Sequence, residues 1–456
     1  MVEYIVGHRM ASLRTLRFRI IIPNSDAYDS VRGTQWDNRA FTRSIKDLWA
    51  LLKSIEDGCP KPQALKLRVH LSAQPSDPVR NFRGDPLDFV DDRNLDEVDE
   101  PDRFAEISNR LPFKSMRIPQ DLPPLPWVNG FIWSGSSFLQ EFRGIHSAAL
   151  KRLASRFHGL TYFEVYLSEG STQIRSDIAR EMSNLSLPHL SELVFNFEPH
   201  YKLDRLPNIS SRSSDAFSMA VHRLLQSPNL LKVTLGDPNH NCCVRFTPEL
   251  FWPQLEEFGG RQKPFWPCLQ SIIVMISSVS PDGTRLHIHE HLVGEFESVR
   301  LNMDKVNPLF MAAARAAQHM PKLLEMKLGV EAHKDMDNPL CEMAFAAQGY
   351  CSEEDIKGDH AALRLDGFIF SDSRKLVLLS DQLDLSKPRV SVVMPSKCTI
   401  DSRLAQVWKT SKGEDIDYKV CYGFVHDDDD YDEDSDYDDD YDEDNDYDDD
   451  NDEDDD

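Results

Sequence analysis

The segment Leu190-Ser-Glu-Leu193-Val-Phe195 carries the pattern that decides the fold. Its apolar residues stand at the first, fourth and sixth positions. The last two share one face if the segment is a β-strand, because side chains alternate along a strand. The pattern begins at Leu13, Leu160, Leu190, Leu230, Leu269 and Leu323, and a looser copy reads Leu65-Lys-Leu67-Arg-Val69. We therefore predict that the chain repeats one strand-forming unit.

A proline stands two residues before the leading leucine in four copies of this unit. These prolines are Pro188, Pro228, Pro267 and Pro321. Proline cannot continue a helix, and it holds the residue before it in an extended conformation. Each of these prolines therefore favours the end of a helix followed by the entry to a strand.

Four stretches between the strand segments have apolar residues at helical spacing. We predict helices over residues 38–58, 142–157, 217–225 with Ser213 or Ser214 as N-cap, and 307–320 opened by Asn307 and Pro308. A helix, a proline and a strand in repeated succession predict parallel strands whose chain returns through helices. Each unit would bury its apolar strand face only against its neighbours.

These features predict an α/β fold, an irregular leucine-rich-repeat-like solenoid of parallel strands with return helices over residues 1–344. The spacing of the leading leucines from Leu160 to Leu323 is uneven. Regular repeats of this class are about 20–29 residues long. Every interval between these leucines is longer than that, so the solenoid would carry loop insertions. An ordinary α/β domain whose buried strands follow helices is the alternative.

Four further regions have a distinct composition or pattern. Residues 75–126 hold nine of the 27 prolines and are predicted to be a Pro-rich insertion. Residues 271–291 are predicted to form a hairpin around Ser280-Pro281-Asp282-Gly283. Residues 345–425 are predicted to form a small C-terminal α/β subdomain that caps the solenoid, and residues 426–456 a disordered acidic tail.

The charge of the chain is concentrated in that tail. Residues 427–456 hold 23 of the 77 acidic residues and no Lys or Arg, which leaves 54 acidic against 51 basic residues elsewhere. A nearly neutral body has no electrostatic footprint for nucleic acid, so we predict no nucleic-acid partner. Apolar runs are too short for a membrane span, and the first residues do not form a secretory signal. We expect a cytoplasmic or nuclear protein that is not secreted, with its eight cysteines reduced.

Several phrases resemble a family of filamentous-fungal proteins, many of them F-box proteins, with a large domain of unknown function behind the F-box. The matching phrases are residues 38–48, Leu224-Leu-Gln-Ser-Pro228-Asn-Leu230, Pro248-Glu-Leu-Phe251-Trp252-Pro253, Phe265-Trp266-Pro267-Cys-Leu269, the Ser280–Gly283 turn and residues 376–424. The resemblance covers most of residues 10–425. The order of these segments along the chain supports it better than any single segment does.

The resemblance implies a leucine-rich-repeat-like region that holds the substrate of a ubiquitin ligase, behind an F-box that docks the ligase adaptor. Residues 1–11 are too few to form an F-box, so the chain departs from the family there. Either the gene model is truncated or this member lacks the connection to a ligase. The family brings no catalytic residues to this chain.

His287, His289 and His291 form the sharpest local group of potential metal ligands. Alternate residues of a strand share a face, so the three imidazoles would suit zinc or copper. The favoured interpretation is the polar outer face of a hairpin strand with Ile288 inward, because a solvent-facing hairpin lacks the supporting shell that metal sites need.

Two other motifs have a chemical and a structural interpretation. Cys242-Cys243 is interpreted as two small residues leaving a strand rather than a redox or metal site. Trp252-Pro253 and Trp266-Pro267 are interpreted as anchors of a loop against the core, with an aromatic recognition pocket as the alternative.

The sequence carries none of the common signatures of nucleotide-binding loops, nucleophile elbows or zinc peptidases. We therefore predict no enzyme activity, no catalytic, metal or cofactor-binding residues and no cofactor. The predicted function is a protein-binding scaffold with a protein partner of unknown identity, and no membrane partner. The alternative is a chaperone-like factor that binds histones or other basic proteins through its acidic tail. The plain alternative for the tail itself is a solubility segment.

Overall fold

A computed structural model gives the fold of the chain. It describes residues 13–22, 30–59, 65–75, 122–134, 145–167, 172–197, 215–236, 243–253, 263–291, 297–330, 341–350, 386–395, 398–412 and 415–423. The acidic tail and most of the predicted Pro-rich insertion lie outside these residues.

Eleven strands form one sheet, and they lie side by side in chain order. The strands are β1 Thr15–Ile22, β2 Leu67–Pro75, β3 Val128–Trp133, β4 Tyr162–Leu167, β5 Glu192–Phe197, β6 Lys232–Leu235, β7 Ser271–Ile276, β10 Glu325–Val330, β11 Cys341–Ala346, β12 Arg389–Pro395 and β13 Asp417–Gly423. Neighbours from β1 to β7 and on to β10 are parallel; β11 is antiparallel to β10 and to β12, and β13 is parallel to β12. Strands β8 His287–His291 and β9 Glu297–Leu301 form a separate antiparallel pair.

Six α-helices lie in the described part of the chain. They are α1 Ser30–Gly58, α2 Ser147–Ala154, α3 Thr172–Ser183, α4 Ala216–Leu225, α5 Met303–Ala317 and α6 Arg403–Lys412, and a short 3-10 helix covers Pro248–Leu250. Helices α1 to α4 each connect two neighbouring parallel strands, as the succession of helix, proline and strand predicts. The prediction of an α/β fold with a mostly parallel sheet is confirmed.

Every copy of the repeated unit forms a strand that begins two residues after its leading leucine. In the copies that begin at Leu160, Leu190, Leu230 and Leu323, a turn precedes the strand, and the N–H of the leading leucine donates to the carbonyl three residues earlier. Leu190 donates to Leu187, Leu230 to Ser227 and Leu323 to Met320, at 3.1–3.2 Å. Proline occupies the second position of these turns, where its fixed φ suits the type I and II geometries. The prolines therefore shape the turn between helix and strand.

The turns of successive units lie close to each other, and Gly159 shows how close. A Cβ on Gly159 would lie 2.1 Å from the backbone oxygen of Pro126 in the preceding turn. Because that contact is with backbone rather than with a flexible side chain, only glycine fits the position. The turns before β3 and β4 are thus packed directly against each other.

One hydrophobic core lies between the sheet and the helices. Phe131, Phe163 and Phe195 of strands β3 to β5 point into it, with ring centroids about 6 Å apart between neighbours. Phe157 packs on Phe131, and Trp49 of α1 packs on Phe157. At the other end of the sheet, Phe345 of β11 stacks on Trp408 of α6. These contacts place α1 and α6 against the same face of the sheet.

Strand β3 and helix α3 were not predicted from the sequence, and each omission has a physical reason. Strand β3 contains Gly130, which disfavours a strand, but a Cβ there would lie 2.4 Å from Cγ of Arg68 on β2. In α3 the buried positions are Arg175, Ile178, Ala179 and Met182. Because the first of these buried positions is an arginine, the spacing of the apolar residues does not indicate a helix here.

The starts of three helices differ from prediction. The predicted start of α1 at residue 38 lies eight residues inside the helix, although the predicted apolar stripe is buried. Helix α2 is shorter than residues 142–157, because the ring of His146 caps it by accepting a hydrogen bond of 3.2 Å from the N–H of Ala148. Asp215, not Ser213 or Ser214, caps α4.

The predicted start of α5 at Asn307 is wrong. Asn302 is the N-cap, and Pro308 lies inside the helix, where it removes one backbone hydrogen bond. Asn307 instead accepts, through its side-chain oxygen, a hydrogen bond of 3.1 Å from the N–H of Asp401. The asparagine thus links α5 to the turn that precedes α6.

The predicted hairpin over residues 271–291 is wrong, although its turn is present. Ser280 and Thr284 close the turn, and one bridge joins Val279 to Arg285. Strand β7 then pairs in parallel with β6 and β10, whereas β8 pairs with β9. The parallel neighbours occupy both edges of β7 and leave none for β8.

The C-terminal strands continue the main sheet. The predicted boundary between residues 344 and 345 falls inside β11, which pairs with β10 on one side and β12 on the other. Within residues 345–425, for which both helix and strand are predicted, the structure has α6, β12 and β13. None of the helices in the described ranges is both long and apolar enough to cross a membrane.

Candidate functional site

The face of the sheet opposite the core carries rows of side chains that run across all eleven strands. We call it the outer face. The first row holds Thr15, Arg68, Gly130, Tyr162, Glu192, Lys232, Ser271, Glu325, Ala346, Arg389 and Asp417. The second row lies two residues further along each strand, except on the antiparallel β11, where it lies two residues earlier. It holds Arg17, His70, Ile132, Glu164, Val194, Thr234, Ile273, Lys327, Ala344, Ser391 and Lys419.

The centre of the second row is a strip of three β-branched side chains. Val194, Thr234 and Ile273 stand in register on β5, β6 and β7, and all three are half-buried. Glu164 flanks the strip on one side and Lys327 on the other. An apolar centre with charged flanks has the anatomy of a protein–protein contact surface.

Glu325 is the centre of a hydrogen-bonded group in the first row. Its carboxylate accepts from the hydroxyls of Ser271 and Tyr350, each at 3.2 Å, and pairs with Lys327 at 3.5 Å. Arg389 donates to the backbone oxygen of Tyr350 at 3.1 Å. The turn that holds Tyr350 therefore borders the outer face on the side of β11 and β12.

Tyr162 links the charged side chains near β4. Its hydroxyl donates to Glu164 at 2.5 Å, and the guanidinium of Arg68 lies 4.3 Å from the centre of its ring. Burial and the hydrogen bond to Glu164 together raise the pKa of the Tyr162 hydroxyl far above its usual value. Tyr162 is therefore a neutral hydrogen-bond donor at any physiological pH.

The third row, towards the carboxyl ends of the strands, is closed. Asn196, Met275, Glu342 and Val393 are all buried there. Only the first two rows are therefore open to a partner over most of the sheet.

The first two rows are the third and fifth positions of the repeated unit that begins with leucine. The alternation of a strand predicts that these positions face away from the core. This signal in the sequence was sufficient to find the outer face, but its rows become visible only once the strand order is known.

Among the side chains that the structure describes, no group of three or more His, Cys, Asp and Glu residues could hold a metal ion. The side chain of His287 is buried, which differs from the solvent-facing position predicted for it. The side chains of His289 and His291 lie outside what the structure describes. Of the Cys242-Cys243 pair, the structure describes Cys243, whose side chain is half-buried.

The two Trp-Pro motifs have different surroundings. Trp266 is fully buried and meets the ring of His222 edge-on at 5.5 Å, which confirms its predicted role as an anchor. Trp252 is half-buried and stacks on His319 at 5.2 Å. It also lines a surface depression of about 340 Å³ with Arg315, Gln318, Gln406, Val407 and Thr410.

A buried ion pair joins α3 to α4. Arg175 donates two hydrogen bonds to Asp215, of 3.1 and 2.5 Å, and a third of 2.6 Å to the backbone oxygen of Arg245. Asp215 also accepts from the N–H and the hydroxyl of Ser218, at 3.0 and 2.5 Å. Burial alone would raise the pKa of Asp215, but the charge of Arg175 and these hydrogen bonds outweigh it and hold the pKa below its usual value.

Asp215, Ser218 and His222 include the residue types of a hydrolytic triad, but their geometry is structural. Ser218 donates to Asp215, whereas the ring nitrogens of His222 bond to other groups. Nδ1 of His222 donates to the backbone oxygen of Leu250 at 2.9 Å, and Nε2 accepts from Gln226 at 2.8 Å. All three are buried, so the group clamps α4 to its neighbours.

No protein-family model matches the chain, and neither does any curated protein sequence.

Proposed function

We propose that the chain is a non-enzymatic protein-binding scaffold, a leucine-rich-repeat-like solenoid that resembles the substrate-recognition region of fungal F-box proteins. One observation carries the proposal. The outer face presents two rows of side chains in continuous register across eleven strands, while the helices cover the other face.

The dimensions of the outer face suit a protein partner. Ten spacings of about 4.8 Å make the sheet about 48 Å wide, and two rows of side chains span about 14 Å along the strands. The resulting area, roughly 670 Å², is close to the roughly 800 Å² that each partner contributes to a standard interface. A small molecule would need a concave pocket. The two rows form a broad surface instead, which suits a protein.

The scaffold is also rigid where it would bind. The backbone of each central strand is hydrogen-bonded on both sides. Binding to a rigid surface costs less conformational entropy than binding to loops, which leaves more of the contact free energy as affinity. The strip formed by Val194, Thr234 and Ile273 would be the desolvated centre of the interface.

A chaperone-like factor that binds basic proteins through the acidic tail is the second candidate. The 23 acidic residues in positions 427–456 favour it. Binding of this kind is governed by long-range charge and weakens sharply with salt, because the Debye length falls to about 4 Å at 0.5 M. Salt dependence therefore separates the two functions.

The test is affinity capture from an extract of a filamentous fungus, quantified by mass spectrometry at 0.15 M and 0.5 M salt. We expect the variant Val194→Arg/Thr234→Arg/Ile273→Arg to lose salt-resistant partners by at least about tenfold, because three charges would be buried at the centre of the interface. The matched control Ala50→Arg/Ser54→Arg/Ser183→Arg adds the same charge at exposed helix positions and should keep them.

Retention of the same salt-resistant partners by both variants would overturn the scaffold proposal. Capture of basic proteins alone, all released at 0.5 M salt from every variant, would establish the second candidate instead. Equal thermal midpoints of the two variants would show that both are folded.

A further inference from the structure

One end of the outer face carries only positive charge among the described residues. Strands β1 to β3 and their flanks, residues 13–22, 65–75 and 122–134, contain no Asp or Glu. They contain Arg14, Arg17, Arg19, Lys66 and Arg68, all exposed, together with the half-buried His70. We call these six residues the basic end.

The register of the sheet brings the charges of the basic end together. Arg17 pairs with His70, Arg19 with Ser72, and Arg68 with Thr15, two residues before Arg17. Arg17 and Arg19 lie about 7 Å apart along β1, and Arg68 is a diagonal neighbour of Arg17 at a similar distance. Burial and the charge of Arg17 lower the pKa of His70, so the cluster repels a further positive charge.

Protection of a sheet edge explains only part of this cluster. Charged side chains on an edge strand discourage pairing with other chains, and β1 is the edge of the sheet. Lys66 and Arg68, however, belong to β2 and its entry, which pairs with β1 on one side and β3 on the other. The basic end therefore extends beyond the edge strand, and protection of the edge does not account for all of its charges.

We propose that the acidic tail, residues 427–456, binds the basic end of its own chain. Strand β13 ends at Gly423 on the opposite edge of the sheet, about 48 Å from β1 across ten strand spacings. An extended chain advances about 3.3 Å per residue, so about 15 residues cross that distance. The segment 439–456 then remains for contact, and it consists of Asp and Glu except at Tyr441, Asn445, Tyr447 and Asn451.

Charge complementarity favours this contact over binding in trans. The tail carries no Lys or Arg, and the basic end carries no carboxylate in the described residues. A tether of this length keeps the tail near the basic end at an effective concentration of roughly millimolar, which compensates for weak individual contacts. The contact would place the tail on the same face that we propose for the protein partner, and in that respect it rests on the proposed function. The tail would then screen the basic end from acidic competitors.

The test is zero-length cross-linking of the full chain with a carbodiimide, which joins a lysine amine to a carboxylate in direct contact. We expect a link between Lys66 and the 427–456 peptide at a yield at least about fivefold above that of Lys46, an exposed lysine on α1. The link should form within monomers, independently of protein concentration. It should fade between 0.05 M and 0.5 M salt, because the Debye length falls from about 14 Å to about 4 Å.

Two matched variants separate a specific contact from general attraction. Arg17→Gln/Arg19→Gln/Arg68→Gln should lower the Lys66 yield at least about fivefold. Arg43→Gln/Arg152→Gln/Arg315→Gln removes the same charge from exposed helix positions and should leave the yield unchanged. The salt titration on the unaltered chain gives a reading even if one variant fails to fold.

Three results would overturn the proposal. Equal yields at Lys66 and Lys46 would show general attraction by a polyanion. Links that appear only between the two chains of a dimer would show that the basic end binds the tail of a second copy. Nucleic acid that copurifies with the protein, and whose digestion exposes Lys66, would name a different occupant. None of these cross-linking results depends on the protein partner. The contact between the tail and the basic end is therefore tested separately from the scaffold proposal.

Discussion

Replacement of Arg175 by methionine will lower the free energy of unfolding by about 3–5 kcal/mol at pH 7, the cost of leaving one charge of a buried ion pair without its partner. The side chains of Arg175 and Asp215 are 3% and 5% exposed. Removal of the guanidinium leaves the carboxylate of Asp215 in the core, with Ser218 as its remaining hydrogen-bond donor. Urea denaturation followed by circular dichroism measures the change.

The double variant Arg175→Met/Asp215→Asn is the matched control for this prediction. Asparagine keeps the capping contact with the N–H of Ser218 but carries no charge, so most of the lost stability should return. The loss in the single variant should also shrink towards pH 5. A buried carboxylate without a cation has a raised pKa and becomes protonated there. Equal stability of the single and the double variant would show that the ion pair does not hold α3 to α4.

Stability will fall by about 3 kcal/mol between pH 7 and pH 4 because of His222 alone. Burial lowers the pKa of His222 from 6.5 to about 4. In the unfolded chain the imidazole takes up its proton near pH 6.5, whereas in the folded chain it stays neutral until about pH 4. The unfolded state therefore binds more protons in this window, and the stability conferred by neutral His222 is lost as the pH falls.

The geometry explains why the neutral form is favoured. Nδ1 carries the proton that it donates to Leu250, and Nε2 accepts from Gln226, so a second proton would face a donor. The variant His222→Asn keeps a donor for Leu250 and cannot titrate, so between pH 6.5 and pH 4.5 it should lose about 2 kcal/mol less stability than the unaltered chain. Urea midpoints at half-unit steps of pH measure the slope. A variant as steep as the unaltered chain would assign the pH dependence to other groups.

Most strands were predictable because each unit repeats the same local physics. A leading leucine, a turn with proline and two apolar residues on one face recur at Leu190, Leu230 and Leu323, and each produced a parallel strand where expected. Elements that break the local rule were not predictable. Arg175 sits where α3 needs an apolar residue, and Gly130 sits where β3 needs a side chain; both are explained only by partners distant in sequence, Asp215 and Arg68.

The outer face could be predicted from the sequence only in part. Alternation within one unit indicates that Val194 or Ile273 points away from the core. It does not indicate that Val194, Thr234 and Ile273 are neighbours, because the loops between their strands differ in length and could reorder them. Similarly, the sequence predicts Asn307 as the N-cap of α5, whereas Asn302 is the N-cap and the side chain of Asn307 accepts a hydrogen bond from Asp401, a contact that the sequence does not reveal.

The order of the central strands is the claim on which the outer face depends, and a distance measurement tests it most directly. Cysteines at positions 194 and 234 would lie on neighbouring strands about 4.8 Å apart, whereas cysteines at 194 and 273 would be separated by one strand, about 9.6 Å. With a thiol cross-linker about 5 Å long, matched to one strand spacing, we expect efficient intramolecular cross-linking of Val194→Cys/Thr234→Cys and little of Val194→Cys/Ile273→Cys, above the background of the unaltered chain. Equal cross-linking of both pairs, or none in the first pair while both thiols accept a monofunctional label, would contradict it.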